Sequence, residues 1–208
     1  MAFTDYTALK STIADYLARS DLTTQIPDFI TLAENRLRRD VRIRPMLKVV
    51  TTETVASDPT VSLPSDFLEM RDLHIDANPI HTLIYQNPSN FFRNAKAGTL
   101  TGGYPNNYTI MGSEFQFAPI PDSNYTLRMV YYAAPAYLSS TNTSNNFLAY
   151  CPDLLLYASL GEAEPYLMND ARITTWATLY DRGLDSLTQS NDAGENPSAP
   201  MVMSVATR

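Results

Sequence analysis

Cysteine occurs once in 208 residues, at Cys151, so the chain holds no internal disulfide framework. Histidine occurs twice, at His74 and His81, too few to build a metal site without other ligands. Glycine occurs seven times against 14 prolines and 13 tyrosines. That shortage matches the absence of phosphate-cradling loops: no GxxxxGK[ST] or GxGxxG is present, and GxSxG and HExxH are missing too. Positive charge is also scarce. The net charge of -7 and pI of about 4.7 exclude a general nucleic-acid binder. The longest apolar run, around Leu154–Leu160, is too short to cross a bilayer. The start MAFTDYTALK has no basic stretch followed by an apolar one, so no secretory signal is expected, and we expect synthesis in a cytoplasm.

What is present is apolar residues at two different periods. Asn146–Leu187 reads as two helices joined by a polar turn at Met168-Asn169-Asp170. Pro152 suits a first helical position and Asp153 places negative charge in the first turn. Leu154, Leu155, Ala158, Leu160 and Leu167 give the first helix a broad apolar face. Ile173, Trp176, Ala177, Tyr180, Leu184 and Leu187 give the second a single stripe. A hairpin cannot bury both faces by itself. The complement stands at the other end of the chain. Tyr6, Leu9, Ile13, Tyr16 and Leu17 follow a cap at Thr4 or Asp5. Phe29, Ile30, Ala33, Leu37 and Val41 follow Pro27-Asp28, and Pro45 ends that helix. We therefore expect an α+β protein. Residues 1–45 and 146–189 form helix pairs of one bundle, and 46–145 form an inserted antiparallel β domain.

Within the insertion, Leu68–Ile75 and Tyr125–Tyr132 are strands, with Val61–Pro64 a short strand at most and Pro79–Tyr85 another candidate. Tyr108–Met111 and Phe115–Ala118 around Gly112-Ser113 read as a tight hairpin, and Pro88–Ala97 as a short helix. Beyond Ser190 the helical period is lost, and Gly194, Pro197 and Pro200 argue for an extended arm over 190–208. Met201, Val202, Met203 and Val205 bead it with apolar side chains.

Candidate chemistry is sparse. Asp72, His74 and Asp76 alternate along one strand, a pattern better explained as an exposed polar face near a turn. Glu162 and Glu164 lie about 200° apart around a helix and do not converge, so they read as solvated charges. Asp66 and Glu69 flank a strand, and a wall-degrading activity would need such carboxylates to meet in space. Tyr125, Tyr131, Tyr132 and Tyr137 are core and interface aromatics. The strongest charge feature is Arg36, Arg38, Arg39, Arg42 and Arg44, five arginines in nine residues. Asp40 interrupts them and they spread around the helix. They suit bridges to carboxylates of a neighbouring subunit or segment better than a phosphate track.

One ordered set of short motifs is familiar. Leu63-Pro64-Ser65-Asp66-Phe67-Leu68-Glu69, Tyr108-Thr109-Ile110-Met111-Gly112, Pro119-Ile120-Pro121, Tyr131-Tyr132-Ala133, Leu138 and Pro152-Asp153-Leu154-Leu155-Leu156-Tyr157 come in that order. Glu162-Ala163-Glu164-Pro165-Tyr166-Leu167, Asp170 and Trp176 follow. The order and spacing resemble the head–tail adaptor (connector) proteins of tailed bacteriophages. The resemblance implies a structural virion protein with no enzymatic activity and no cofactor. It also implies a dodecameric ring that joins the portal to the tail or its nozzle and extends the channel through which phage DNA slides without sequence-specific contacts. The location it implies is the head–tail junction of the virion, away from any membrane. It favours Met201, Val202, Met203 and Val205 on an arm that reaches the portal; the arginine run departs from it, since it suits a channel wall poorly, and we therefore expect Arg36, Arg38, Arg39 and Arg42 at subunit contacts. The rival expectations are a virion-associated peptidoglycan hydrolase and a tail-completion ring protein.

Overall fold

A computed structural model describes residues 3–94, 102–168 and 170–195. In chain order it holds α1 (Tyr6–Leu17), α2 (Ile26–Asp40), β1 (Leu47–Glu53), β2 (Thr60–Ser62), β3 (Phe67–Ile75), β4 (His81–Thr82), β5 (Ile84–Tyr85) and α3 (Pro88–Asn94). After these come β6 (Gly102–Gly103), β7 (Asn107–Met111), β8 (Glu114–Ala118), β9 (Ile120–Pro121), β10 (Thr126–Ala133), α4 (Asn146–Tyr150), α5 (Pro152–Leu167) and α6 (Asp170–Glu195). The chain divides into a helical unit, Met1–Met46 with Pro135–Arg208, and a β unit, Leu47–Ala134. The architecture is the α+β arrangement expected, helices plus antiparallel sheets with the β region inserted.

In the helical unit each helix starts where its residues say it should. Asp5 caps α1, its carboxylate accepting from the Ala8 N–H at 2.8 Å. Tyr6, Leu9, Ile13 and Leu17 are then buried at intervals of three and four. Pro27 and Asp28 open α2, which buries Ile26, Phe29, Ile30, Ala33 and Leu37. Helix α5 is different. It buries Leu154, Leu155, Leu156, Ala158, Ser159, Leu160, Ala163 and Glu164, residues from all sides, because α1, α2, α4 and α6 all pack against it. On α6 only Trp176 and Tyr180 are buried. The Trp176 ring stands edge-on to Tyr16 at 6.1 Å and stacks on Tyr157 at 6.3 Å. Ile13, Leu37, Leu155 and Trp176 are all buried, one from each of the four helices anticipated.

The β unit has two four-stranded sheets, ordered β1-β10-β3-β4 and β2-β8-β7-β5. Their inner faces share one core: Leu73, Ile75, Leu127, Met129 and Tyr131 from the first, Tyr108, Phe115 and Phe117 from the second. The hairpin of β7 and β8 turns at Gly112-Ser113, and Gly112 holds φ 61°, the left-handed value that the first position of such a two-residue turn requires. Burial alternates along β10 through Leu127, Met129 and Tyr131 and then breaks, because Tyr132 is buried as well. The pairing with β3 shifts register at that point, skipping Arg71 and then Leu68.

Three details differ from the sequence reading. The short pairings β5·β7 and β6·β9 are parallel, whereas every longer ladder is antiparallel. Pro135–Asn145, assigned from sequence to the β domain, falls in the helical unit. The helix expected to end at Gln189 continues through Ser190 and Gly194 to Glu195. Glycine costs a helix about 1 kcal/mol but keeps its N–H, so it weakens the helix without blocking it; Pro197 is the first residue that removes a donor. Residues 196–208, and with them Met201, Val202, Met203 and Val205, lie outside the described residues.

Trp176→Ala should destabilise the protein by about 3–5 kcal/mol, through the lost aromatic volume and the lost indole donor. Trp176→Phe, which keeps most of the volume, should cost clearly less. Equal melting temperatures for wild type and Trp176→Ala would contradict this packing.

Candidate assembly surfaces

Apart from one exposed member, the arginine run is built into its own chain. Arg36 lies 4.0 Å over the Tyr180 ring, with its Nε 3.6 Å from Asp40 Oδ2. The Tyr180 hydroxyl donates to the same carboxylate at 2.8 Å. Burial, together with that carboxylate, raises the Tyr180 pKa well above the usual phenol value. Arg36, Asp40 and Tyr180 thus pin α2 to α6. Arg38 sits 3.5 Å over the Tyr137 ring and donates to the Pro135 carbonyl. Arg42 Nη1 donates to the carbonyls of Arg38 and Val41, both at 2.8 Å, closing the C-terminal end of α2. Arg44 reaches the far end of α6: its N–H donates to Asn191 Oδ1 at 3.0 Å and its Nη1 to the Gly194 carbonyl at 3.2 Å. Arg39 is exposed.

Next to this run lies a buried carboxylate. Glu34 on α2 is 1% exposed. Its Oε1 accepts from the Leu138 N–H at 3.1 Å and from Asn145 Nδ2 at 2.6 Å, and Oε2 accepts from the same Leu138 N–H at 3.2 Å. Burial raises its pKa, partly offset by these hydrogen bonds and by Arg38. Glu164 on α5 corrects an expectation outright. Read as a solvated charge, it is fully buried, with Oε1 accepting from Trp176 Nε1 at 2.9 Å and ion-paired with Arg172 Nε at 3.5 Å. Both residues carry a signal in their spacing. Glu34 stands four after Ile30 and three before Leu37, and Glu164 four after Leu160 and three before Leu167, so each falls inside the apolar stripe. A carboxylate there is a buried, partnered one.

Two of the carboxylates weighed for hydrolysis, Glu164 and Asp66, are occupied. Asp66 accepts from Tyr131 at 2.7 Å and from Lys48 at 2.6 Å; burial opposes its charge, but these two donors outweigh it and hold the pKa below the usual range. His74 Nδ1 meets Asp72 Oδ2 at 2.7 Å, a pair, and no group of three or more metal-ligating side chains gathers among the described residues. Cys151 is buried at the start of α5, its thiol pushed up to about 12 by burial and by Asp153. Among the tyrosines, Tyr131 and Tyr132 are core, and Tyr137 is 41% exposed beneath Arg38.

Exposed apolar side chains mark the remaining surfaces. In the β unit a cavity of about 410 Å³ is lined by Phe67, Leu68, Met70, Tyr85, Tyr108 and Ile110, with Ile84 63% and Tyr85 53% exposed beside it. In the helical unit a groove of about 290 Å³ runs along the end of α6, past Ile43, Pro45, Tyr150 and Leu187. No described helix is long and apolar enough to cross a membrane. The family model described as SU10 adaptor protein matches residues 4–204 of the chain. No curated protein matches it.

Glu34 makes stability depend on pH with a definite sign. A carboxyl whose folded pKa is raised stabilises the fold most below its unfolded pKa, about 4.3, and loses that contribution as pH rises through the folded value. The stability of wild type relative to Glu34→Gln should therefore fall as pH rises from about 4 and then level off. Thermal melts of the two proteins across that range check it; a difference that rises with pH would reverse the sign.

Proposed function

We propose that this chain, which belongs to the SU10 adaptor protein family, forms an oligomeric ring that joins the portal to the tail and extends the DNA channel. The family is one of phage adaptors, so the protein is a structural component of the phage, and that membership associates it with portal and tail proteins at the head–tail junction. The match over residues 4–204 is the observation that carries the reading, because it spans both the helical and the β unit.

A closed ring needs one patch meeting a different patch on the next copy. We place the arginine-bearing surface of α2 at that boundary. Arg39, the exposed member, faces a neighbour's carboxylates, while Arg36, Arg38 and Arg42 shape the surface through their own-chain contacts. The net charge of -7 supplies acidic partners and keeps the channel wall from holding DNA phosphates. The arm bearing Met201, Val202, Met203 and Val205 reaches the portal. The hydrolase reading loses support, since Glu164 is engaged by Trp176 and Arg172 and Asp66 by Tyr131 and Lys48.

Imaging of the purified protein mixed with its cognate portal tests the reading; a ring seated on the portal is the expected result, and enzyme-like turnover without assembly would refute it. Arg39→Glu should reduce ring assembly at least about tenfold, roughly 1.4 kcal/mol, with an unchanged melting temperature because the side chain is exposed. Truncation after Glu195 should leave the fold intact and abolish portal attachment, as read by co-sedimentation with the portal.

A further inference from the structure

The C-terminal end of α6 is held, not frayed. Beyond Tyr180 the helix buries nothing fully, yet its last turns carry a half-buried stripe of Gly183, Leu184, Leu187 and Asn191. Arg44 fixes the end of that stripe by bonding Asn191 and the Gly194 carbonyl. The last carbonyls of a helix otherwise lack partners, so this capping sets the point at which the chain leaves α6. That point is the rim of the 290 Å³ groove. Gly194 forms part of its wall, Ile43, Pro45 and Leu187 line it with apolar surface, and the Tyr150 ring stands 58% exposed along it.

Residues 196–208 continue from this rim. Five residues, 196–200, separate Glu195 from Met201; fully extended they span at most about 18 Å, and Pro197 and Pro200 disfavour a helix that would carry the chain away. Met201, Val202, Met203 and Val205 follow at once. The groove therefore lies within reach of the chain's own apolar segment, and it offers the kind of surface such a segment covers.

We infer that in the isolated chain residues 201–205 dock in this groove of the same molecule, so that the segment is parked until a portal competes for it. The inference rests on the reading of 201–205 as a docking segment, and it adds a regulation: portal binding and self-docking exclude each other. A connection of five residues gives an effective concentration of roughly millimolar, so self-docking prevails only if the segment binds the groove with a Kd below about 1 mM.

The test uses a fluorescein-labelled peptide of residues 196–208 and the protein truncated after Glu195, with no portal present. The peptide should bind the truncated protein with a Kd below about 1 mM and the full chain at least about twofold more weakly, because there the groove is filled. Leu187→Asp and Tyr150→Ala, each in the truncated protein with an unchanged melting temperature, should each weaken peptide binding about tenfold or more. No binding at about 1 mM, equal binding to both proteins, or binding indifferent to both substitutions overturns the inference. So does a full chain that dimerises through its tail in sedimentation, which would put the segment in a neighbour's groove. Failure here leaves portal attachment untouched, because that reading is tested separately by co-sedimentation of the truncated protein with the portal.

Discussion

The helical unit depends on a buried carboxylate that reaches across the chain. Its two helix pairs are separated by the whole β insertion, and the segment that brings the chain back, Pro135–Asn145, contains no helix or strand. Backbone without regular structure must find partners for its N–H groups if it is to be buried. Glu34 supplies them to Leu138 and Asn145, Arg38 holds Tyr137 and the Pro135 carbonyl, and the Thr143 carbonyl accepts the Tyr6 N–H at the start of α1. A charge removed from water is costly unless it is hydrogen-bonded, and Glu34 accepts from Leu138 and Asn145 while Arg38 favours its charge. The same contacts position Asn145 as a helix cap, with its Oδ1 accepting from the Leu148 N–H of α4 at 3.1 Å.

Seen from this clamp, the arginines serve the monomer before they serve any assembly. Arginine suits the role because its planar head stacks on an aromatic ring and still keeps donors for carbonyl oxygens. Arg38 does both at once, and Arg36 stacks on Tyr180 while facing Asp40. The end caps made by Arg42 on α2 and by Arg44 on α6 place positive charge where helix dipoles favour it. A cluster that reads as a binding patch is, residue by residue, mostly a set of internal staples. That leaves Arg39 as the exposed member of the run.

Membership of the adaptor family makes the protein a structural component of the phage, and the side-chain contacts agree with that role. The groups that could have reacted are spent on cohesion: Glu164 on the Trp176 indole, Asp66 on Tyr131 and Lys48, and Cys151 in the start of α5 with its thiol held protonated by burial. What the surface offers instead is apolar shape, in the β-unit cavity beside Ile84 and Tyr85 and in the groove at the end of α6. Assembly proteins gain affinity from such aromatic and aliphatic anchors rather than from surface charge pairs, which are worth little in water.

Local rules carried much of this fold. The periods of three and four, the Asp5 cap, the prolines at helix starts and the Gly112 turn are short-range physics, and they located four of the bundle's helices and the β7–β8 hairpin from the residues alone. The ordered motifs from Leu63 to Trp176 were likewise enough to point to the adaptor family. Partners far apart in the sequence were decided only in three dimensions. Glu34 meets Asn145 across 111 positions, Tyr180 meets Asp40 across 140, and Arg44 meets Gly194 across 150. Spacing can say that a carboxylate lies on a buried face, but which donor arrives there depends on how the helices pack. The end of α6 was decided the same way: the local residues argued for a stop at Gln189, and the contacts that hold the helix on to Glu195 come from Arg44, a residue no sequence window around that end contains.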